Sequence, residues 1–206
     1  IGSILNRNNF SGYDAVIGPL MPTNFERVAS ELKNDNVPVI SPFTKPEHLY
    51  NNVFQTIASE ELLEQTIINY VEADTLRRNI IIIADEKNHD KSNRLKATFP
   101  LAKQVFSKKN KEGKDLYYVI LDEIRGNFRK GPNLVFLETG NSGFVSNVTS
   151  MLNGLNGRNL AEQKEGVKVE PIIYDIVLFT TNKSSAFEDE ANVSNIHLSN
   201  LNFHFP

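Results

Sequence analysis

Residues 79–85 read Asn-Ile-Ile-Ile-Ile-Ala-Asp. Four consecutive isoleucines bracketed by polar residues constrain the chain more than any other stretch. β-Branched side chains favour a strand. Successive strand residues point to opposite faces, so an unbroken apolar run needs cover on both. Antiparallel sheets usually leave one face wet and alternate. Parallel sheets flanked by helices do not. This run therefore predicts an α/β chain with parallel sheets.

The rest of the 206 residues agrees. Ala15–Ile17 reads as a short strand closed by Gly18-Pro19, where the glycine meets the backbone demand of a sharp turn. Thr23-x-x-Glu26 has the form of a capping box, followed by Phe25, Val28, Ala29 and Leu32 at helical spacing. Val37–Ile40 is the next strand, broken at Ser41-Pro42. Strand, helix and strand with short joints make a parallel unit. Val53–Ile57 can add a further strand. Ser59 caps a helix expected to turn Leu62, Leu63, Ile67, Tyr70 and Val71 to one side. After the isoleucine run, Pro100 limits the next helix to about Ser92–Thr98, and a strand follows near Lys103–Phe106. The Lys108–Lys114 charge run reads as a solvated loop. Asp115–Ile124 reads as strand into short helix. Asn133–Glu138 is a strand, and Ser142–Leu155 a helix with Phe144, Val148, Met151, Leu152 and Leu155 inward. Ile172–Thr181 is the last clear strand. Phe187–Asn192 reads as acidic and exposed.

The totals exclude several functions. Lys and Arg number 22 against 25 Asp and Glu, a formal charge of −3, which gives no basic stripe for nucleic acid. There is no run of ~18 apolar residues, as a membrane span requires. Cysteine is absent, which removes disulfides, thiolate catalysis and Cys-based zinc sites. Asn-x-Ser/Thr triplets such as Asn147–Thr149 follow from the abundance of Asn. The opening Ile-Gly-Ser-Ile-Leu reads as the interior of a longer sequence, so a leader segment is not judged from it.

Ligands of open α/β sheets bind beyond the carboxyl ends of the strands. The residues after each strand are therefore the candidates. Thr23 and Asn24 follow the first strand, Ser41 and Thr44 the second, and His89 the isoleucine strand. Thr139, Asn141 and Ser142 follow Asn133–Glu138, and Thr180–Asn182 the last. Hydroxyls, amides and helix N-termini suit a small polar or anionic ligand. Each has a structural alternative. Ser41 and Thr44 are also turn formers, Thr23 a helix cap, His89 a surface histidine, and Thr139–Gly143 a turn with an N-cap. Asp85 and Glu138 end neighbouring strands and form a possible carboxylate pair, with no nucleophile or oxyanion partner in view. No GxGxxG or P-loop Lys-Ser/Thr is present, and His48, His197 and His204 lack metal-ligand spacing. No cofactor, no metal and no enzymatic activity are expected.

The order strand-IGP, helix, "VPVISPFTKPEHL", "FQTIAS", helix, "NIIIIAD" resembles the type I periplasmic binding proteins, closest in pattern to the branched-chain amino-acid receptors of ABC transporters. The likeness is clear over about Tyr13–Asp85 and looser through "NLVFLETGN" to "IVLFTTN". It implies two Rossmann-like lobes closing on a small polar ligand such as an amino acid or peptide. The expected division is 1–57 for part of lobe one, 58–182 for lobe two, and 183–206 as a segment returning to lobe one. In this family the loops after "IGP" and "ISP" hold the ligand's charged ends, which implies Thr23-Asn24 and Ser41–Thr44 here. His89 stands near a place where the family often has an aromatic residue. The "SPF-T" loop is one residue shorter than usual, and the family's first strand–helix–strand precedes the point where this sequence opens, leaving lobe one incomplete. The resemblance implies a periplasmic or envelope location, with an ABC permease or a cell-wall protein as partner. Similar domains also serve as envelope regulators or scaffolds linked to peptidoglycan synthesis.

Overall fold

In a computed structural model that describes residues 1–43, 45–157 and 174–206, the chain divides into two compact units, Ile1–Leu62 and Leu63–Pro206. The first contains helix α1 (Gly2–Arg7), strand β1 (Val16–Ile17), helix α2 (Pro22–Leu32) and strands β2 (Val39–Ser41) and β3 (Val53–Gln55). The three strands are parallel in the order β1-β2-β3. Val16, Val39 and Val53 share one row of the register. They pack with Phe25, Val28, Ala29 and Leu32 of α2, the four positions that the helical spacing had marked. The neighbouring row, Ile17, Ile40 and Phe54, points to the opposite face, where Ile17 is 74% and Phe54 55% exposed.

Helix α2 begins one residue before the expected cap. Met21 is the N-cap and Pro22 opens the helix, so Thr23 lies inside the first turn and makes no capping bond. Proline is preorganised for that position, since its fixed φ is helical and its missing N–H would be an orphan there. Gly18 has φ +83, the left-handed conformation its turn was expected to need.

Helix α3 (Glu60–Glu72) joins the units, and Ser59 Oγ accepts the Leu62 amide at 3.2 Å, as a cap should. Its buried residues are Ile67, Ile68 and Val71; Leu62 and Tyr70, expected inward, are more than half exposed. The second unit then runs β4 (Asn79–Ala84), a 3-10 turn Glu86–Asn88, α4 (His89–Thr98), β5 (Lys103–Phe106), α5 (Leu121–Arg125), β6 (Gly131–Glu138), α6 (Ser142–Leu155), β7 (Tyr174–Phe179), a 3-10 turn Ser185–Phe187 and α7 (Asn195–Asn200). Its strands are all parallel, in the order β5-β4-β6-β7.

The isoleucine run behaves as its composition requires. Ile81 and Ile83 pack on one face with Val135, Leu137 and the α6 residues Phe144, Val148 and Leu152. Ile82 packs on the other with Phe136 and the α3 residues Ile67, Ile68 and Val71. Both faces are dry, and each isoleucine from 81 to 83 is fully buried.

Three expectations are corrected. Residues 115–120 form no strand. They fold back along the preceding loop through Leu116 N to Lys108 O (2.8 Å) and Lys108 N to Tyr118 O (2.9 Å), with Tyr117 at φ +52. Phe187 is buried at 6% exposure because its ring joins the α6 core; of the stretch after it, Glu188, Glu190, Ala191 and Asn192 are exposed. Residues 183–206, expected to return to the first lobe, pack within the second unit. Leu198 and Leu201 enter its core, and His204 pairs beside Phe179 through His204 N to Leu178 O (2.9 Å) and Thr180 N to His204 O (3.1 Å). Of the expected last strand, residues 172 and 173 lie outside the described residues.

Candidate functional site

Because β4, β6 and β7 are adjacent and parallel, their carboxyl ends lie along one edge of the second sheet. The register pairs Ala84 with Glu138, which brings Asp85 beside Thr139. The Thr139 hydroxyl donates to Asp85 Oδ2 at 2.5 Å. Asp85 Oδ1 accepts the Asn88 amide at 3.0 Å and its side-chain Nδ2 at 2.8 Å, capping the turn that leads to α4. Thr139 Oγ1 also accepts the Asn141 amide at 3.0 Å, and Asn141 Oδ1 accepts the Phe144 amide at 2.9 Å as the N-cap of α6. Buried carboxylate and hydroxyl thus hold two helix entrances in place.

From β7, the Thr181 amide donates to Glu138 Oε1 at 2.8 Å, and Thr180 Oγ1 accepts the Asn182 amide at 3.2 Å. Asn182 then spans back to the α4 side. Its Oδ1 accepts from Lys91 Nζ, and its Nδ2 donates to Asn88 Oδ1 at 3.4 Å. The outcome is a polar rim with two layers. Asp85, Glu138, Thr139, Thr180 and Thr181 are buried, and Asn88, Lys91, Asn141 and Asn182 are half-buried above them.

Glu138 is the unusual member. It is fully buried, and Oε2 has no hydrogen-bond partner among the described residues. Burial pushes its carboxyl up to about 7, against the opposing pull of the Thr181 amide and the Lys91 charge. A buried carboxylate with an unsatisfied oxygen is costly, and taking up a proton relieves it. Asp85 has its donors and is equally buried. The two acids therefore end neighbouring strands without flanking an open space in which a bond could be cleaved.

Of the candidate residues, Thr139 and Asn141 lie in this rim. His89 starts α4 next to it but turns elsewhere: its ring stacks on Phe106 at 5.0 Å, and Nδ1 lies 3.2 Å from Asn93 Nδ2. Thr23 is exposed and Asn24 half-buried in the first turn of α2. Ser41 is fully buried at the end of β2, where its carbonyl accepts the Thr56 amide at 3.1 Å. Thr44 lies outside the described residues. Asn88 and Lys91 join the rim without being among the candidates taken from the strand ends. Their place depends on the 3-10 turn after β4, which Asp85 creates. Among the described residues no group of three or more His, Cys, Asp or Glu could hold a metal, and no helix is long and apolar enough to cross a membrane.

No protein-family model matches the chain, and no curated protein matches it. Solved structures do. The chain is similar to an ABC transporter substrate-binding protein from Desulfitobacterium hafniense, with TM-score 0.42 and 17% identity over 86% of this chain and 48% of that one. The same protein in complex with Leu gives TM-score 0.40, with the same identity and coverage. A branched-chain amino acid transporter substrate-binding protein, LivJ, from Streptococcus pneumoniae in complex with isoleucine gives TM-score 0.35 and 15% identity over 87% of this chain and 47% of that one. The chain spans about half the length of the structures it matches. The likeness is one of α/β arrangement and says nothing of a ligand for this chain.

Proposed function

We propose that this chain is part of a non-enzymatic solute receptor of the cell envelope and that it binds a small polar ligand at the carboxyl ends of its parallel strands. The observation that carries the reading is the built rim of the second unit. Half-buried amides are held in fixed positions by fully buried carboxyl and hydroxyl groups, and the Lys91 ammonium by the Asn182 side chain. Preorganised donors and acceptors of this kind suit recognition. Among them stands no activated nucleophile, and both acids are buried away from any substrate. In this reading Thr139 and Asn141 are ligand contacts of the second unit, and Thr23, Asn24, Ser41 and Thr44 remain candidate contacts of the first. An amino acid or short peptide fits the mixed donor and acceptor set, and an ABC permease is the corresponding partner.

One observation favours a second reading, an envelope regulatory or scaffolding domain that reuses the fold. The outer rim groups already satisfy one another, Lys91 with Asn182 and Asn182 with Asn88. A receptor must exchange these bonds for ligand bonds; a scaffold keeps them and meets a cell-wall protein elsewhere. Thermal unfolding of the chain with amino acids, short peptides and cell-wall fragments separates the two. A ligand at 100 times its dissociation constant stabilises by about 2.7 kcal/mol, and Asn182→Ala should abolish that shift. A folded chain that responds to none of them rejects the receptor.

A further inference from the structure

Beside the end of β7, the second unit has an open hollow of about 280 Å³ that borders the rim at Thr180 and Asn182 and otherwise lies outside it. Its inner wall is aromatic. The Phe187 and Phe203 rings stack at 4.8 Å and 13°, and Phe203 continues to Phe205 at 5.7 Å and 25°. Leu198 of α7 closes the side. Phe187 and Leu198 are anchored in the core, at 6% and 8% exposure, so this wall is fixed. The space equals about nine liquid waters at ~30 Å³ each, which is small for a ligand pocket and enough for one phenyl or branched alkyl group with a short arm.

The mouth carries Glu188, Glu190 and Lys183, all exposed, and none of them forms an ion pair among the described residues. Two carboxylates against one ammonium leave the opening negative. An apolar chamber with aromatic walls and a negative mouth suits a cation that carries an apolar body. The charge meets the carboxylates, and the body displaces water from the aromatic wall. An anion of the same shape would face two carboxylates with only Lys183 to offset them.

We infer that this hollow binds an organic ammonium compound with an aryl or branched alkyl body, independently of the polar rim. No carboxylate on the ligand is required, which separates it from a free amino acid. The hollow shares Thr180 and Asn182 with the strand end but takes its walls from the tail and from α7.

The test is titration of the chain with 2-phenylethylammonium and, separately, with 3-phenylpropionate, followed by NMR chemical shifts. Saturable shifts centred on Phe187, Leu198 and Phe203 are expected for the ammonium compound, at least tenfold tighter than for the carboxylate. The surface double variant E188Q/E190Q should keep the unfolding temperature and erase that preference. Asn141→Ala, on the rim, should leave the ammonium compound's affinity unchanged, so failure of the rim reading and failure of this one are told apart. Absence of saturable shifts at these residues, equal affinity for the two probes, or an unchanged preference in E188Q/E190Q would overturn the proposal.

Discussion

Glu138 shows how much a single residue can owe to its neighbours. In the sequence it is one more acid at a strand end. In the fold it is fully buried, with one oxygen held by the Thr181 amide and the other without a partner among the described residues. Its carboxyl is pushed from the ordinary 4.5 up to about 7, chiefly by burial. The folded chain therefore keeps a proton that the unfolded chain releases. The stability this contributes is full below about pH 4.5 and is lost as pH rises through 7. The loss is about 3 kcal/mol at most, from ~1.4 kcal/mol per pH unit. Glu138→Gln keeps an acceptor for Thr181 and removes the titration. The variant is expected to match the parent near pH 5, to exceed it at pH 8, and to flatten the profile between. Urea midpoints at three pH values would check this; parallel profiles for the two proteins would show that Glu138 does not titrate in that range.

At the scale of elements, sequence reasoning succeeded where one local signal ruled and failed where two competed. Helix α6 was expected over Ser142–Leu155, and those are its bounds, because a clean apolar stripe follows an Asn that can cap. Asn141→Ala should cost about 1 kcal/mol, the usual worth of such a cap. It should also loosen the link from Thr139 to α6, which thermal unfolding and the Phe144 amide resonance would report. For α2 the signals competed. Thr23 had the form of a cap, but Pro22 is the stronger helix opener, and the helix starts there. For α3 the stripe was read in part: Ile67 and Val71 are buried as expected. Leu62 and Tyr70 are exposed while Ile68 is buried, because the second sheet chose which face of a broadly apolar helix to cover.

For the whole molecule, the two units differ in how their sheets are covered. The second has apolar clusters on both faces of four strands. The first has short strands with one face against α2, while Ile17 and Phe54 stand in the row on the other. Local opening is easiest where few apolar contacts resist it. Native-state hydrogen exchange should therefore find the slowest amides in β4 and β6 and faster exchange throughout β1, β2 and β3. Equal protection in the two sheets would mean that the uncovered row is not exposed in solution.

By itself the sequence determined the fold class, since four adjacent isoleucines are tolerable only in a strand covered on both faces. It also determined which side of the sheets carries polar groups, because every described strand but β1 ends in or runs into hydroxyl, amide or acid residues. Tertiary structure decided the rest of the site. It set Thr139 and Asn141 in one bonded rim with Asp85, Asn88, Lys91 and Asn182, and it turned His89 toward Phe106. It also folded the tail against β7 to form the aromatic hollow. The physical reason is range. Strand burial and helix caps are set by residues a few positions apart. The partner of a side chain at a strand end is set by strand order and register, which join residues such as Lys91 and Asn182 across 91 positions of chain.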